Sequence, residues 1–409
     1  MFLKYLDFVD LAYEPKETDL VCTFSLEPEG ISIKEAAGGV AAESSVGTWT
    51  ELTTEQPYVK RLAAHVYRID GNVIKIAYSA ELFESGNMPN ILSSVAGNVF
   101  GLKALKNLRL LDIYFPKQLV NSFKGPAFGI AGIRKLLKIP KRPLVGTIIK
   151  PKLGLETKDH AKVAYEAWFG GCDIVKDDEN LSSQSFNPFE ERLTQTLERR
   201  DKAQEETNER KVYMINITAE TQIMLKRAQA VVDQGGEYVM VDILTCGWSV
   251  LQTLRDQNFK LVIHAHRAGH ASFTKNPLHG IAMKPIATVA RVIGVDQLHV
   301  GTVVGKMSET KAEVLENIAA CKSDLGLLKP VLPVASGGLH PRLVPALIET
   351  FGNDFVIQAG GGIHGHPEGT ICGAKAMRQA VDATLFEKTL DEYAKNHKEL
   401  ALALKQWKS

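Results

Sequence analysis

The sequence is poor in the features that mark whole classes of protein. It has only five cysteines in 409 residues, at positions 22, 172, 246, 321 and 372, and no CxxC pair. An odd, dispersed set excludes a disulfide framework and fits reduced thiols in a cytosol, so a cytoplasmic location is expected. No apolar run approaches the ~20 residues that a membrane-spanning helix needs. The opening stretch MFLKYLDFVDLAYEPKE carries acids among its apolar residues and lacks a small-residue cleavage site, so a signal peptide is not expected. Charge of one sign is missing as well, because 48 Lys and Arg against 47 Asp and Glu leave a net +1. No global field draws in nucleic acid or an anionic membrane, and neither is expected as a partner. An anionic ligand must then be held by local lysines and arginines. Low-complexity tracts are absent too.

What remains is ordinary globular composition, 45% hydrophobic and 23% charged. The chain exceeds the size at which one core stops growing, which predicts two domains. Residues 1–135 read as an α+β domain. DLVCTFSLEP and NVIKIAYSAELF are rich in β-branched and aromatic residues and predict strands. SIKEAAGGVAAESS predicts a helix with Ser32 as its N-cap, and ILSSVAGNVFGLKAL a second helix.

Residues 136–409 have another texture. Short apolar segments recur at 144–150, 172–178, 212–218, 238–244, 260–266, 297–302, 331–338 and 355–362, each followed by a helical pattern. Eight such βα units predict a (β/α)8 TIM barrel, with a doubly wound open sheet as the alternative. The C-terminal TLDEYAKNHKELALALKQWKS predicts an amphipathic helix.

Barrel enzymes place their chemistry at the carboxyl ends of the strands. The first predicted strand ends in IIKPKLG, where Lys150 and Lys152 share a face and suit an anion. The second ends in KDDEN. Asp178 and Glu179 are hard oxygen ligands fit for Mg²⁺, but two oxygens make a weak cage. Lys176 either forms ion pairs there or adds CO2 to become a carbamate, a third oxygen ligand. The fifth ends in HAHRAGH, which sets His264, His266, Arg267 and His270 close together, residues suited to proton transfer and phosphate binding. The sixth supplies His299, and a loop framed by Gly301 and Gly305 carries Lys306. Strands seven and eight end in SGG (336–338) and GGG (360–362), loops that expose backbone N–H groups to phosphate. Two anion-binding elements suggest a substrate with a phosphate at each end. Trp168, Trp248 and Trp407 read as packing residues, and the charged run 197–211 as a solvated helix face.

These residues resemble a known family. GTIIKPKLGL, GGCDIVKDDENLSSQSF, HAHRAGHA, DQLHVGTVVGK, PVASGGLHP and IQAGGGIHGHPEG, with AAESSVGTWTEL and AGNVFGLKALKNLRLLD nearer the start, are similar to the large subunit of ribulose-1,5-bisphosphate carboxylase/oxygenase, RuBisCO. The flavour is that of the archaeal form III enzymes. The resemblance implies a ferredoxin-like N-terminal domain before the barrel. It implies carboxylation of ribulose 1,5-bisphosphate to two 3-phosphoglycerates, with oxygenation by O2 as a side activity. By the same resemblance Lys176 is the carbamylated lysine, formed with an activating CO2, and Asp178 and Glu179 complete the ligands of one Mg²⁺ per site. Lys150 moves protons with Lys152 beside it, His266 assists hydration and cleavage, and Lys306 stabilises the new carboxylate. Arg267, His299 and Ser336 grip one phosphate, while Gly337, Gly338, Gly360 and Gly361 offer backbone N–H groups. Glu43, Thr48, Trp49 and Asn98 match the family's N-terminal site residues, which enter the partner chain's barrel. A homodimer or an assembly of dimers follows, without small subunits, and with a role in recycling the ribose of nucleotides. A RuBisCO-like enolase or isomerase acting on a related sugar phosphate is the alternative; such relatives usually lose several of Glu43, Asn98, Lys150, His299 and Lys306, all kept here. Three departures stand out: Gly269 where Met is common, Ile148 where Thr is common, and a segment after Lys306 without the usual acid-and-glycine turn.

Overall fold

A computed structural model describes residues 4–50, 52–305 and 309–408. Its strands, in chain order, begin with β1 (Asp19–Pro28), β2 (His65–Asp70), β3 (Val73–Ser79) and β4 (Leu105–Tyr114). Then come β5 (Leu144–Ile148), β6 (Ile174–Lys176), β7 (Val212–Asn216), β8 (Tyr238–Asp242) and β9 (Val262–His266). The last are β10 (Gly280–Ile281), β11 (Gln297–His299), β12 (Leu332–Ser336) and β13 (Val356–Ala359). The chain forms two compact units. One comprises residues 1–124, 269–293 and 324–328; the other holds the remainder.

The first unit is built on a five-stranded sheet in the order β10-β4-β1-β3-β2. β1 pairs antiparallel with both β3 and β4, and β10 adds parallel to β4. β1 covers the residues its composition predicted, and alternate side chains (Leu20, Cys22, Phe24, Leu26) are buried on one face. The helix Ile33–Glu43 starts where expected: the Ser32 hydroxyl accepts from Glu35 N at 3.2 Å, and Ser32 N donates to the Glu35 carboxylate at 3.1 Å. Gly38 lets this helix approach the chain start, because a Cβ there would lie 2.0 Å from the Tyr5 carbonyl oxygen. The second predicted helix is shorter than its pattern. It runs over Met88–Val95, a 3-10 turn follows at Asn98–Gly101, and residues from Leu105 enter β4. Gly97 makes the break, with ψ at −122° and room only for a hydrogen beside the Ser93 carbonyl.

The second unit holds the predicted barrel, which is closed in the order β11-β12-β13-β5-β6-β7-β8-β9. Every adjacent pair is parallel, which excludes the open sheet. Residues at the amino ends of the strands, among them Leu144, Ile174, Val212, Tyr238, Val262, Leu332 and Val356, form one buried cluster. Ile133 and Leu137 of the helix Gly129–Leu137 pack into it and plug that end of the barrel. The opposite, carboxyl end is thereby left to polar side chains.

Candidate active site

The strand ends carry a connected ring of polar groups. Lys150, just past β5, places its amine 2.7 Å from Asp178 Oδ2. A Cβ on Gly360, past β13, would lie 3.0 Å from Lys150 Cε, so Gly360 is where the β13 loop comes against this lysine. Lys152 is exposed two residues on.

Lys176 ends β6 and is fully buried. Its Nζ donates to the Asp177 carbonyl at 2.6 Å and lies 3.6 Å from Glu179 Oε2. Burial pushes this amine below its ordinary pKa, against the pull of Glu179, Asp178, Asp242 and Asp177. Burial raises the Asp178 carboxyl, but hydrogen bonds from Lys150 and Asn180 outweigh it and hold the group low. Glu179 is held low in the same way, burial being outweighed by Lys176 and His266.

The middle acid of the motif, Asp177, has another task. Its oxygens take Tyr213 Oη at 2.7 Å, Arg192 Nε at 3.1 Å and the Asn216 backbone N–H at 3.0 Å, with His160 Nε2 at 3.1 Å. Burial opposes its ionisation, yet Arg192 and His160 bring its pKa to about 2. Asp177 thus pins the β6 end to β7 while Lys176, Asp178 and Glu179 remain for the site.

His266 ends β9. Its Nδ1 is 2.6 Å from Asp242 Oδ1 at the end of β8, and its Nε2 is 3.7 Å from Glu179 Oε2. Asp242 orients the ring, a contact the sequence reading missed. His264 is not a free proton carrier. Its Nδ1 meets Gln297 Oε1 and its Nε2 meets His299 Nε2, each at 2.9 Å, and His299 Nδ1 meets Ser336 Oγ at 2.7 Å. Burial drives both histidines well below their ordinary pKa, so this chain is neutral. His270, grouped with them from sequence, belongs to the other compact unit, where it meets Thr274 Oγ1 at 2.9 Å. Arg267 is buried and donates to Glu309. The loop after β11 comes against the loop after β12, since a Cβ on Gly305 would sit 2.3 Å from the Gly337 oxygen. Gly337 and Gly338 both have left-handed φ, 118° and 75°. Gly361 opens the short helix Gly361–His364 after β13. Lys306 lies outside the described residues.

The remaining expected residues are on the first unit. Glu43 ends its helix and accepts from Tyr5 Oη at 3.1 Å. Thr48 is half-buried, Asn98 is exposed, and Trp49 stands 80% exposed. An aromatic so bare departs from the packing role of Trp168, which is buried and donates to the Val212 carbonyl at 3.2 Å.

Among the described residues no three His, Cys, Asp or Glu side chains are arranged to hold a metal. Asp178 and Glu179 offer two carboxylates, and the Lys176 amine lies beside Glu179 where a third ligand belongs. The donor set fits a hard divalent cation once that amine carries an oxygen-bearing group.

Two family models match the chain. Residues 129–407 match the ribulose bisphosphate carboxylase large chain catalytic domain, and residues 7–119 match the N-terminal domain of the same chain. A ribulose bisphosphate carboxylase of Methanosarcina mazei is 50% identical, the match covering 98% of this chain and 99% of that one. That of Pyrococcus abyssi is also 50% identical, over 98% and 96% of the two chains. Among solved structures, the octameric Rubisco of Pyrococcus horikoshii in complex with sulfate superposes with a TM-score of 0.97 at 50% identity, over 99% of this chain and 97% of that one. The dimeric archaeal Rubisco of Hyperthermus butylicus gives 0.93 at 45%, over 98% and 99%.

Proposed function

Because the chain belongs to the ribulose bisphosphate carboxylase large-chain family, we propose that it carboxylates ribulose 1,5-bisphosphate, with CO2 and water, to two molecules of 3-phosphoglycerate. The observation that carries this reading is Lys176, a fully buried amine at a strand end, 3.6 Å from Glu179 and next in sequence but one to Asp178. A buried lysine is costly as a cation, and its depressed pKa favours the free amine, the form that adds CO2. The carbamate so formed, with Asp178 and Glu179, would hold Mg²⁺. Mg²⁺ there would supply Lewis-acid polarisation of a substrate carbonyl.

The chain's own residues divide the rest of the work. The carbamate oxygen of Lys176 takes the C3 proton. Lys150, held by Asp178 at the mouth, returns a proton to the final carbanion. His266 works through Nε2, its Nδ1 being engaged by Asp242. Arg267, His299 and Ser336 hold one phosphate, helped by N–H groups of Gly337 and Gly338. Lys152, Gly360 and Gly361 serve the other end of the substrate. Lys306 is assigned to the new carboxylate. Glu43, Thr48, Trp49 and Asn98 complete the site of a partner chain in a homodimer or an assembly of dimers, and O2 competes as a side reaction. The dimeric and octameric state of the matched archaeal enzymes supports the assembly. Among the described residues no helix is long and apolar enough to cross a membrane. A cytoplasmic location and a role in recycling the ribose of nucleotides belong to the same proposal.

The test is turnover. Protein incubated with Mg²⁺ and CO2, then given ribulose 1,5-bisphosphate and labelled bicarbonate without oxygen, yields labelled 3-phosphoglycerate, and Lys176→Ala abolishes it. Folded, preincubated protein giving no label would sink the carboxylase reading and favour the enolase-type relative.

A further inference from the structure

Arg267 and Glu309 form a buried ion pair that satisfies neither partner. Arg267 is 6% exposed and donates through Nη2 to Glu309 Oε1. Among the described residues its Nη1 is buried without a partner, and so is Glu309 Oε2. A guanidinium presents a fork that a two-oxygen acceptor can fill; here one prong is used. Burial pushes the Arg267 guanidinium down and Glu309 pulls it back up, so the carboxylate is what keeps this charge tolerable in the free protein.

Space is short around the pair. A Cβ on Gly301 would lie 3.1 Å from Glu309 Oε1 and 3.2 Å from Arg267 Nη2. The backbone beside Glu309 is capped without help from its side chain. Glu309 precedes Thr310, the N-cap of the helix Lys311–Lys322, whose capping box with Glu313 is complete. The helix start is therefore satisfied without the Glu309 side chain. That side chain has turned to the arginine that the phosphate-binding assignment needs.

We propose that Glu309 is a resident counter-ion of Arg267 that competes with the substrate's phosphate, and that it sets anion affinity at this end of the barrel. This rests on the sugar-bisphosphate reading of the site. A phosphate has enough oxygens to engage both Nη1 and Nη2, whereas Glu309 engages one. Binding therefore exchanges a half-made pair for a full one, and Glu309 has to leave, because two anions at one buried arginine repel. Affinity is lowered by the cost of that displacement, and specificity is raised, because weaker monoanions do not displace it.

The test uses the full-length enzyme and inorganic phosphate as probe, titrated calorimetrically, beside the KM for ribulose 1,5-bisphosphate. Glu309→Gln keeps the shape and removes the charge; it should tighten phosphate about tenfold, the worth of one modest charge-assisted contact, and lower KM in parallel. Glu309→Asp, too short to reach Arg267 in the same pose, should tighten it by less. The gain should vanish when Glu309→Gln is combined with Arg267→Gln. Unchanged or weaker phosphate binding in folded Glu309→Gln and Glu309→Asp proteins would overturn the proposal. Tighter phosphate in a protein that never turns over ribulose 1,5-bisphosphate would support the counter-ion role and sink the carboxylase reading instead.

Discussion

At the residue scale, the KDDEN motif shows how neighbours in sequence take opposite tasks. Strand alternation turns Lys176 and Asp178 to one side and Asp177 to the other, where Arg192, Tyr213 and Asn216 consume its oxygens. The sequence reading grouped Lys176, Asp178 and Glu179 as prospective metal ligands but had no means to find the partners of Asp177, which arrive from residues 15 to 39 positions away. Asp242 was missed for the same reason: nothing local marks an acid that reaches a histidine on the next strand. His364 was missed as well. It meets Thr147 Oγ1 at 2.9 Å and Thr370 Oγ1 at 3.1 Å, and burial lowers its pKa to about 4. Below pH 6.5 the unfolded chain binds a proton that the folded His364 refuses until about pH 4, so stability falls as pH drops through that window. The share is about 3 kcal/mol across the window, at roughly 1.4 kcal/mol per pH unit. In urea denaturation series between pH 6.5 and 4, His364→Asn should lose that much slope whatever its absolute stability. An unchanged slope would show that the folded imidazole protonates normally.

At the element scale, the barrel was legible and the first unit only partly so. Each barrel strand is a short apolar run closed by a polar motif, and a parallel sheet buried on both faces has that signature. The strands observed lie within the predicted segments, trimmed by a few residues because pairing stops before the functional side chains begin. β4 was hidden because LKNLRLLDIY carries polar residues at helical as well as strand spacing, and the Gly97 break before it reads as a tolerated glycine. The plug helix Gly129–Leu137 went unread in the sequence, since its nine residues make only about two and a half turns of apolar face. Leu137 is buried against the strand starts, and Leu137→Ala should cost about 2–5 kcal/mol with little effect on KM, because it lies at the end of the barrel away from the site. Chemical denaturation beside steady-state kinetics separates the two effects, and a large KM change with unchanged stability would contradict the placement.

At the scale of the whole molecule, the proposed site residues fall on two compact units of one chain, and the function proposed above joins them across a dimer. Mixed assemblies test this directly. Glu43→Gln and Lys176→Ala chains, each inactive alone, should regain a fraction of wild-type activity when co-expressed, because a mixed dimer contains one site with both residues intact. No recovery in verified mixed dimers would place all the site residues within one chain. The central claim concerns the buried amine at the centre of the barrel mouth, and ¹³C NMR of the assembled enzyme in ¹³C-bicarbonate and Mg²⁺ reaches it most directly. A carbamate resonance that is present in the wild type, sharpened by Mg²⁺ and absent from Lys176→Ala is the expected result. A wild-type spectrum without that resonance, or one that keeps it in Lys176→Ala, would contradict the assignment of Lys176 as the group that completes the metal site.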